Sequence, residues 1–128
     1  MRLDTLWIAG LAAVLFAAPA VAHHSFAMFD QTKTFQVQGT VKEFLWLNPH
    51  SWLQVVATDA QRKTVEYSFE MAAVGALTRD GFTSTRIVPG DKVTVTAHPL
   101  RDGSPGGQFL AVVLPDGQRL THQYRDAP

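Results

Sequence analysis

The chain of 128 residues contains no cysteine. Disulfide bonds are therefore excluded, and so is a lipid anchor attached to an N-terminal cysteine. Basic and acidic residues are equal in number, 11 of each, so the chain lacks the basic excess that binding to the phosphate backbone of nucleic acids requires. The same balance argues against electrostatic attachment to an anionic membrane surface.

The chain also lacks a hydrophobic run long enough to be a strong transmembrane candidate. Its most apolar stretch, residues 6–18, is shorter than the roughly 20 residues that a spanning helix needs. Arg2 precedes this stretch, and Pro19 and the sequence Ala-Val-Ala at 20–22 follow it. This order predicts a cleaved Sec-type signal peptide over residues 1–22 and a periplasmic or secreted protein without a membrane segment. Cleavage after residue 22 makes His23 the mature amino terminus.

Residues 23–128 number 106, which suits a single domain with one modest core. Their apolar residues mostly alternate, as in β-strands, but Met71, Val74 and Leu77 recur at helical spacing, with Gly81 as a C-terminal cap. The predicted elements are strands at 35–47, 51–58, 63–70, 93–97 and 109–114, and a helix at 71–80. The sequence 115–117, Pro-Asp-Gly, predicts a turn followed by a frayed end.

Three strands, one helix and two further strands, in this order, are typical of the OB-fold. The sequence therefore predicts a mainly β protein, an OB-fold-like five-stranded barrel with one short helix between strands 3 and 4. Gly39 lies inside the long first strand and is expected to let that strand curve. An unrelated small sandwich or roll is the alternative architecture.

Short motifs are spread over the whole mature chain. They are HHSF at 23–26, FD at 29–30, GTV at 39–41, Trp46, NPHSW at 48–52, EM at 70–71, PGD at 89–91 and DGS at 102–104. With these motifs the chain resembles a family of small exported bacterial proteins that is known as a domain of unknown function, DUF6152. The resemblance implies export and a small β-barrel, and it implies no established activity, substrate or catalytic residue.

Histidine supplies the metal-binding hypothesis. A mature N-terminal His23 offers its α-amine and its imidazole to one metal ion, and a further imidazole completes a T-shaped set of three nitrogens that favours Cu(II). His50, which follows the rigid Asn48-Pro49 turn, is the preferred third ligand. His24 and His98 are the alternatives, whereas His122 is expected to take no part. The opposing hypothesis is that His50 bonds to backbone at the strand corner and that the terminal histidines are solvated.

Aromatic residues supply a second hypothesis. Trp46, Trp52 and Tyr67 lie on consecutive predicted strands, together with Phe69. OB-type barrels use such a face to stack sugars or bases, so this pattern predicts a binding module for a small molecule, glycan or peptide in the cell envelope. Small barrels also fill their cores with aromatic side chains, which is the competing explanation.

The sequence predicts no catalytic constellation. Ser25 and Ser51 each adjoin a histidine, but neighbours along a strand point to opposite faces. Glu43, Glu66 and Glu70 are expected to be solvated or paired rather than to act as acid and base. The prediction is therefore a non-enzymatic exported barrel that binds a metal ion, copper first, or a small ligand, and a metal-free structural or stress-associated protein is the third alternative.

Overall fold

The computed structural model describes residues 26–124, which form a β-barrel with one short helix after its third strand. A 3-10 helical turn, Phe26–Met28, precedes the barrel. The elements that follow are β1 (Phe35–Leu45), β2 (Trp52–Thr58), β3 (Thr64–Glu70), α1 (Val74–Arg79), β4 (Lys92–Pro99), β5 (Gly106–Val113) and β6 (Arg119–Thr121).

Five of these strands close on one another. β1 pairs with β2 and with β4, β2 pairs with β3, and β4 pairs with β5, all in antiparallel fashion. A parallel pairing between β3 and β5 then joins the two ends of the sheet. Closure in this order, with α1 after β3, confirms the predicted fold class.

Two glycines make the closure of the barrel sterically feasible. A Cβ atom on Gly106 would overlap the carbonyl oxygen of Ser68, and one on Gly107 would overlap that of His98. Only residues without a side chain let β3 and β4 approach β5 so closely from its two sides. β5 consequently begins at Gly106, three residues before its predicted start, although glycine disfavours strands in general.

β1 is long and curved because it belongs to both halves of the barrel. Its residues 35–40 pair with β4, and its residues 40–45 pair with β2. Gly39 lies so close to Val56 that a Cβ atom would collide with the carbonyl oxygen of that residue, and a bulge follows between Val41 and Glu43. The curvature expected near Gly39 is thus present, while β1 ends at Leu45, two residues earlier than predicted.

α1 contributes Leu77 to a core in which Phe69 and Phe109 are fully buried. Its C-terminus is capped as predicted: Gly81 has φ +90° and donates to the Thr78 carbonyl, and Phe82 donates to that of Leu77. These two bonds satisfy carbonyl groups that the last helical turn leaves open. Within residues 26–124, no helix combines the length and the hydropathy that crossing a bilayer requires.

α1 begins at Val74, three residues later than predicted. The amide of Met71 donates to Ser51 (2.8 Å), and the amide of Ser51 donates to Ala72 (3.1 Å), so residues 71 and 72 extend the ladder between β2 and β3. The amide of Val74 donates to the side-chain oxygen of Asn48 (2.9 Å). Pairing with a strand more than fifteen residues away therefore outweighs the local helical spacing of the apolar residues.

The prediction of a frayed end after residue 117 is wrong. The Pro-Asp-Gly turn is a hairpin in which Gly117 has φ +84°, and β6 returns antiparallel to β5. Leu120 pairs with Val112 and is buried. A strand of three residues is too short to show a period in the sequence, and its partner strand is what stabilises it.

Candidate functional site

A row of polar residues crosses three neighbouring strands of the barrel. Glu70 on β3 is the direct partner of Gln108 on β5, and Gln108 is the direct partner of His98 on β4. Direct cross-strand partners project from the same face of a sheet. Glu70 and Gln108 are only 7% and 1% exposed, which is unusual for such residues. We call these three residues the polar row.

The start of the described chain is fastened beside this row. Phe29 is buried and forms a β-bridge with Leu100, just after β4. Arg101 donates two hydrogen bonds to carbonyl groups of the 3-10 turn, from its amide at 2.9 Å and from Nε at 3.0 Å. The ring of Phe26 meets that of Tyr124 edge-on, with centroids 5.5 Å apart. Residues 26–29 are thus held beside the polar row.

A cavity of about 430 Å³ lies between the polar row and this segment. Its lining includes Phe26, Gln31, His98, Gln108, His122 and Tyr124. Gln31 Nε2 donates to Gln108 Oε1 across it at 3.3 Å. Gln108 Nε2 is buried and has no partner within residues 26–124. Buried donors of this kind are rare in folded proteins, and each requires an explanation.

His98 has a defined tautomer because its Nδ1 lies 2.6 Å from the carbonyl oxygen of Lys33. A carbonyl group only accepts hydrogen bonds, so Nδ1 donates its proton and Nε2 carries the lone pair. Within residues 26–124, Nε2 has no hydrogen-bond partner. Metal-binding histidines commonly have one ring nitrogen held in this way.

His122 is arranged in the same manner by a carboxylate. Its Nδ1 lies 2.6 Å from Asp80 Oδ2, and its ring meets that of Tyr124 edge-on, with centroids 4.5 Å apart. The side chain is buried, and among the described residues its Nε2 has no hydrogen-bond partner. Asp80 lies 42 residues away along the chain, so no local sequence pattern links it to His122. Only the fold brings the two side chains together.

His50 lies at the other end of the polar row. Its Nδ1 is 3.3 Å from the carbonyl oxygen of Met71 and 3.4 Å from Glu70 Oε1. Both neighbours accept hydrogen bonds, so Nδ1 carries the proton and Nε2 the lone pair. A backbone bond at the strand corner is therefore present, as one hypothesis expected, and a buried carboxylate accompanies it. His50 does not line the cavity beside Phe26.

Tyr124 contacts both Glu70 of the polar row and His122 of the cavity. Its hydroxyl group donates to the backbone carbonyl of Glu70 (3.1 Å), while its ring contacts Phe26 and His122. Burial, with the Glu70 carboxylate as the second cause, raises the pKa of the Tyr124 phenol well above its usual value. The hydroxyl group therefore stays protonated and serves as a donor at physiological pH.

His23 and His24 lie outside the described residues, as does the predicted signal peptide. Within residues 26–124, no three histidine, aspartate or glutamate side chains are grouped so that they could hold a metal ion. His50 and His98 therefore lie at opposite ends of the polar row, and the described residues around them do not form a complete metal site.

The aromatic candidates occupy different environments. Trp46 follows β1, meets Phe44 edge-on at 5.6 Å and packs against the core. Tyr67 stacks on Phe69 at 6.1 Å and also packs against the core. Trp52 is the half-buried first residue of β2. Trp46 and Tyr67 thus contribute to packing.

Two of the residues weighed for catalysis, Ser51 and Glu66, are engaged in structural contacts, whereas Ser25 lies outside the described residues. Ser51 is fully buried, and its hydroxyl group bonds to the backbone of Leu47 at 3.1 Å. Glu66 forms an exposed ion pair with Lys42 at 2.8 Å. Such exposed pairs contribute little to stability, and neither residue faces the cavity described above.

The fold and the polar row together define an OB-type barrel with histidines gathered beside its N-terminal segment. The sequence matches the family of unknown function DUF6152 over residues 11–109, and the chain belongs to this family. No curated protein and no solved structure shows significant similarity to the chain.

Proposed function

We propose that the processed chain binds Cu(II) through the α-amine and imidazole of His23 and the imidazole of His50. A free terminal histidine chelates one ion with two nitrogens, which an internal histidine cannot do. Amine and imidazole nitrogens, in a chain without thiolates, favour Cu(II) among the divalent first-row ions. The protein is then an exported metal-binding barrel, and no catalytic step is required of it.

One chain of contacts carries the proposal. His50 faces Glu70, Tyr124 donates to the Glu70 carbonyl, and Phe26 packs on Tyr124. Two residues separate His23 from Phe26, and an extended chain spans at most about 3.3–3.6 Å per residue. A chelate at His23 must therefore act within roughly 11 Å of Phe26. Phe26 is linked to His50 through Tyr124 and Glu70.

The surroundings of His50 suit a ligand. Its Nδ1 faces the Glu70 carboxylate and the Met71 carbonyl, so the ring is oriented and Nε2 is the nitrogen with the lone pair. A carboxylate behind a ligating histidine also raises the basicity of the ring, and such partners are typically worth about 10–100-fold in metal affinity.

The test is a copper titration of protein purified after export, with intact mass to establish that it starts at His23. A Gly-Pro dipeptide added before His23, the glycine extension, separates the amine from the imidazole, and its proline has no amide proton to lose to copper. His50→Ala removes the third ligand. Each change should lower the affinity of the tight site by more than about tenfold, since even outer partners of a ligand are worth that much. Each should also alter the electron paramagnetic resonance spectrum.

His98→Ala is the matched control, because it removes an imidazole from the other end of the polar row and should leave the tight site intact. If neither the glycine extension nor His50→Ala changes the affinity, the proposal is wrong. A mature chain that starts at another residue also removes its basis.

Metal preference and pH provide an independent check. Affinity should follow the order Cu(II) above Ni(II), Co(II) and Mn(II), with Zn(II) as the weaker competitor. A free terminal amine ordinarily has a pKa of about 7.7–8.0 and a free imidazole one of about 6.5. Both must lose a proton to bind, so affinity should fall as the pH is lowered through this range.

A further inference from the structure

We infer that His98 and His122 form a second transition-metal site, separate from the terminal chelate. Both rings line the cavity of about 430 Å³. In both, Nδ1 is held by an acceptor at 2.6 Å, the Lys33 carbonyl for His98 and the Asp80 carboxylate for His122. Each ring therefore presents Nε2, the nitrogen with the lone pair, as a ligand.

The strand pairing brings the two histidines to the same stretch of β5 from opposite sides. His98 on β4 is the direct partner of Gln108. His122 follows β6, and its amide donates to the carbonyl of Leu110 at 2.9 Å. β4 and β6 flank β5, so the two imidazoles straddle its residues 108–110. Side chains in this arrangement can lean across one strand toward a shared ion.

A purely structural role would leave unexplained features at this cavity. A packing role for His122 needs only its bond to Asp80, whereas Nε2 has no hydrogen-bond partner within residues 26–124. The same holds for Nε2 of His98. Gln108 Nε2, also unpartnered in the described chain, can donate to a water molecule or anion bound with the ion. The cavity has room for several water molecules of about 30 Å³ each.

The chemistry of the site follows from its two nitrogen ligands. Imidazole suits Cu(II), Zn(II) and Ni(II), and Cu(II) binds most tightly of these. Two imidazoles leave the remaining coordination positions to water or to a small anion, as in metal sites that exchange ligands. The site should therefore bind copper more weakly than the terminal chelate does.

The experiment uses the glycine-extended protein, which begins Gly-Pro before His23, so that neither the terminal chelate nor a chelate through the peptide nitrogens can form. Titration with Cu(II) should reveal one site, and His98→Ala and His122→Ala should each weaken it by more than about tenfold. Glu66→Gln, at an exposed position away from this cavity, is the matched control and should leave the second site unchanged. No copper binding, or binding that His98→Ala does not affect, overturns the second site.

A second measurement does not depend on the stability of His122→Ala. Zn(II), which is diamagnetic, is added to the isotope-labelled, glycine-extended protein, and the imidazole nitrogens are followed by nuclear magnetic resonance. Nε2 of His98 and of His122 should shift together at one zinc equivalent, and Nε2 of His50 should not. Independent titration of the two rings contradicts a shared ion. The terminal chelate is tested in the protein without the extension, and the second site is tested in the extended protein. A negative result for one site therefore leaves the other proposal untouched.

Discussion

The two ends of the polar row present their imidazoles in different ways. At one end, His50 faces a buried carboxylate and a carbonyl at 3.4 and 3.3 Å, and a complete copper site there needs the amino terminus. At the other end, His98 and His122 are each held by one short contact of 2.6 Å, and they share a cavity. The first end combines one imidazole with a buried carboxylate. The second brings two imidazoles to one cavity within residues 26–124.

At both ends, the contact made by Nδ1 determines which ring nitrogen carries the lone pair. Both Glu70 and Asp80 accept from an Nδ1 atom, but the Glu70 side chain is 9% exposed and the Asp80 side chain 36%. Electrostatic energy varies only as the inverse of distance, whereas the effective dielectric constant falls from about 80 in water to about 20 in a protein. The histidines have the opposite order, since the His50 side chain is 27% exposed and that of His122 is 8%. We expect the carboxylate that water solvates less, Glu70, to influence its histidine more.

The largest effect is expected for Glu70→Gln, which keeps a side-chain acceptor for His50 Nδ1 but removes the charge. The tight copper site of the unextended protein should lose about 10–100-fold in affinity, which is the typical contribution of a carboxylate partner behind a ligating histidine. Competition titration measures this loss, and the second site, assayed in the glycine-extended protein, is the control. An unchanged tight site would show that Glu70 has no role behind His50.

A smaller effect is expected for Asp80→Asn. Asparagine still accepts from His122 Nδ1, so the tautomer is retained and only the charge is lost. Copper affinity of the glycine-extended protein should fall by about tenfold, at the low end of the range for such partners. The tight site of the unextended protein should not change. If Asp80→Asn lowers copper affinity more than Glu70→Gln does, burial of the carboxylate does not govern its influence on the histidine.

Tyr124→Phe should affect stability more than binding. It removes the hydrogen bond from the hydroxyl group to the Glu70 carbonyl and keeps the ring contacts with Phe26 and His122. A single hydrogen bond of this kind is worth about 0.5–1.5 kcal/mol, so the free energy of unfolding in urea should fall by about 1 kcal/mol. The matched control is Tyr67→Phe, whose ring stacks on Phe69. Equal losses in the two variants would mean that the Glu70 contact adds nothing.

The smallest effect is expected at acidic pH, near Asp30 at the start of the described chain. Hydrogen bonds from the Thr32 hydroxyl group and from Lys33 lower the pKa of Asp30 from 3.8 to about 2. The stability that this carboxylate contributes is therefore present above about pH 4 and is lost as the pH falls toward 2. The Thr32 amide donates to Asp30 Oδ1 at 3.2 Å, so its protection factor against hydrogen exchange should fall over this window, and Asp30→Asn should remove that fall. An equal fall in Asp30→Asn would assign the change to other groups.

Local patterns in the sequence were sufficient to predict most of the barrel. The alternation of Val93, Val95 and Ala97 predicted β4, and Gly81 predicted the end of α1 through its left-handed conformation. Two of the wrong predictions arose because long-range pairing overrides local propensity. Residues 71 and 72 join a ladder instead of a helix, and β6 exists because β5 is beside it.

The site was less predictable than the fold. The position of His50 at a strand corner followed from Asn48-Pro49, but its proximity to Glu70 depends on the pairing of β2 with β3. No local sequence pattern points to His122, because its hydrogen-bond partner Asp80 lies at the end of α1, far away along the chain.

The sequence by itself determined the strand periodicity, the turns and the inventory of five histidines without any cysteine, because these depend on neighbouring residues and on composition. Only the tertiary structure decided that Glu70, Gln108 and His98 lie side by side and that His122 faces the same cavity. The physical reason is that these contacts follow from the register between strands that are distant in the chain. That register is set by the closure of the barrel at Gly106 and Gly107, where three strands meet with no side chain between them.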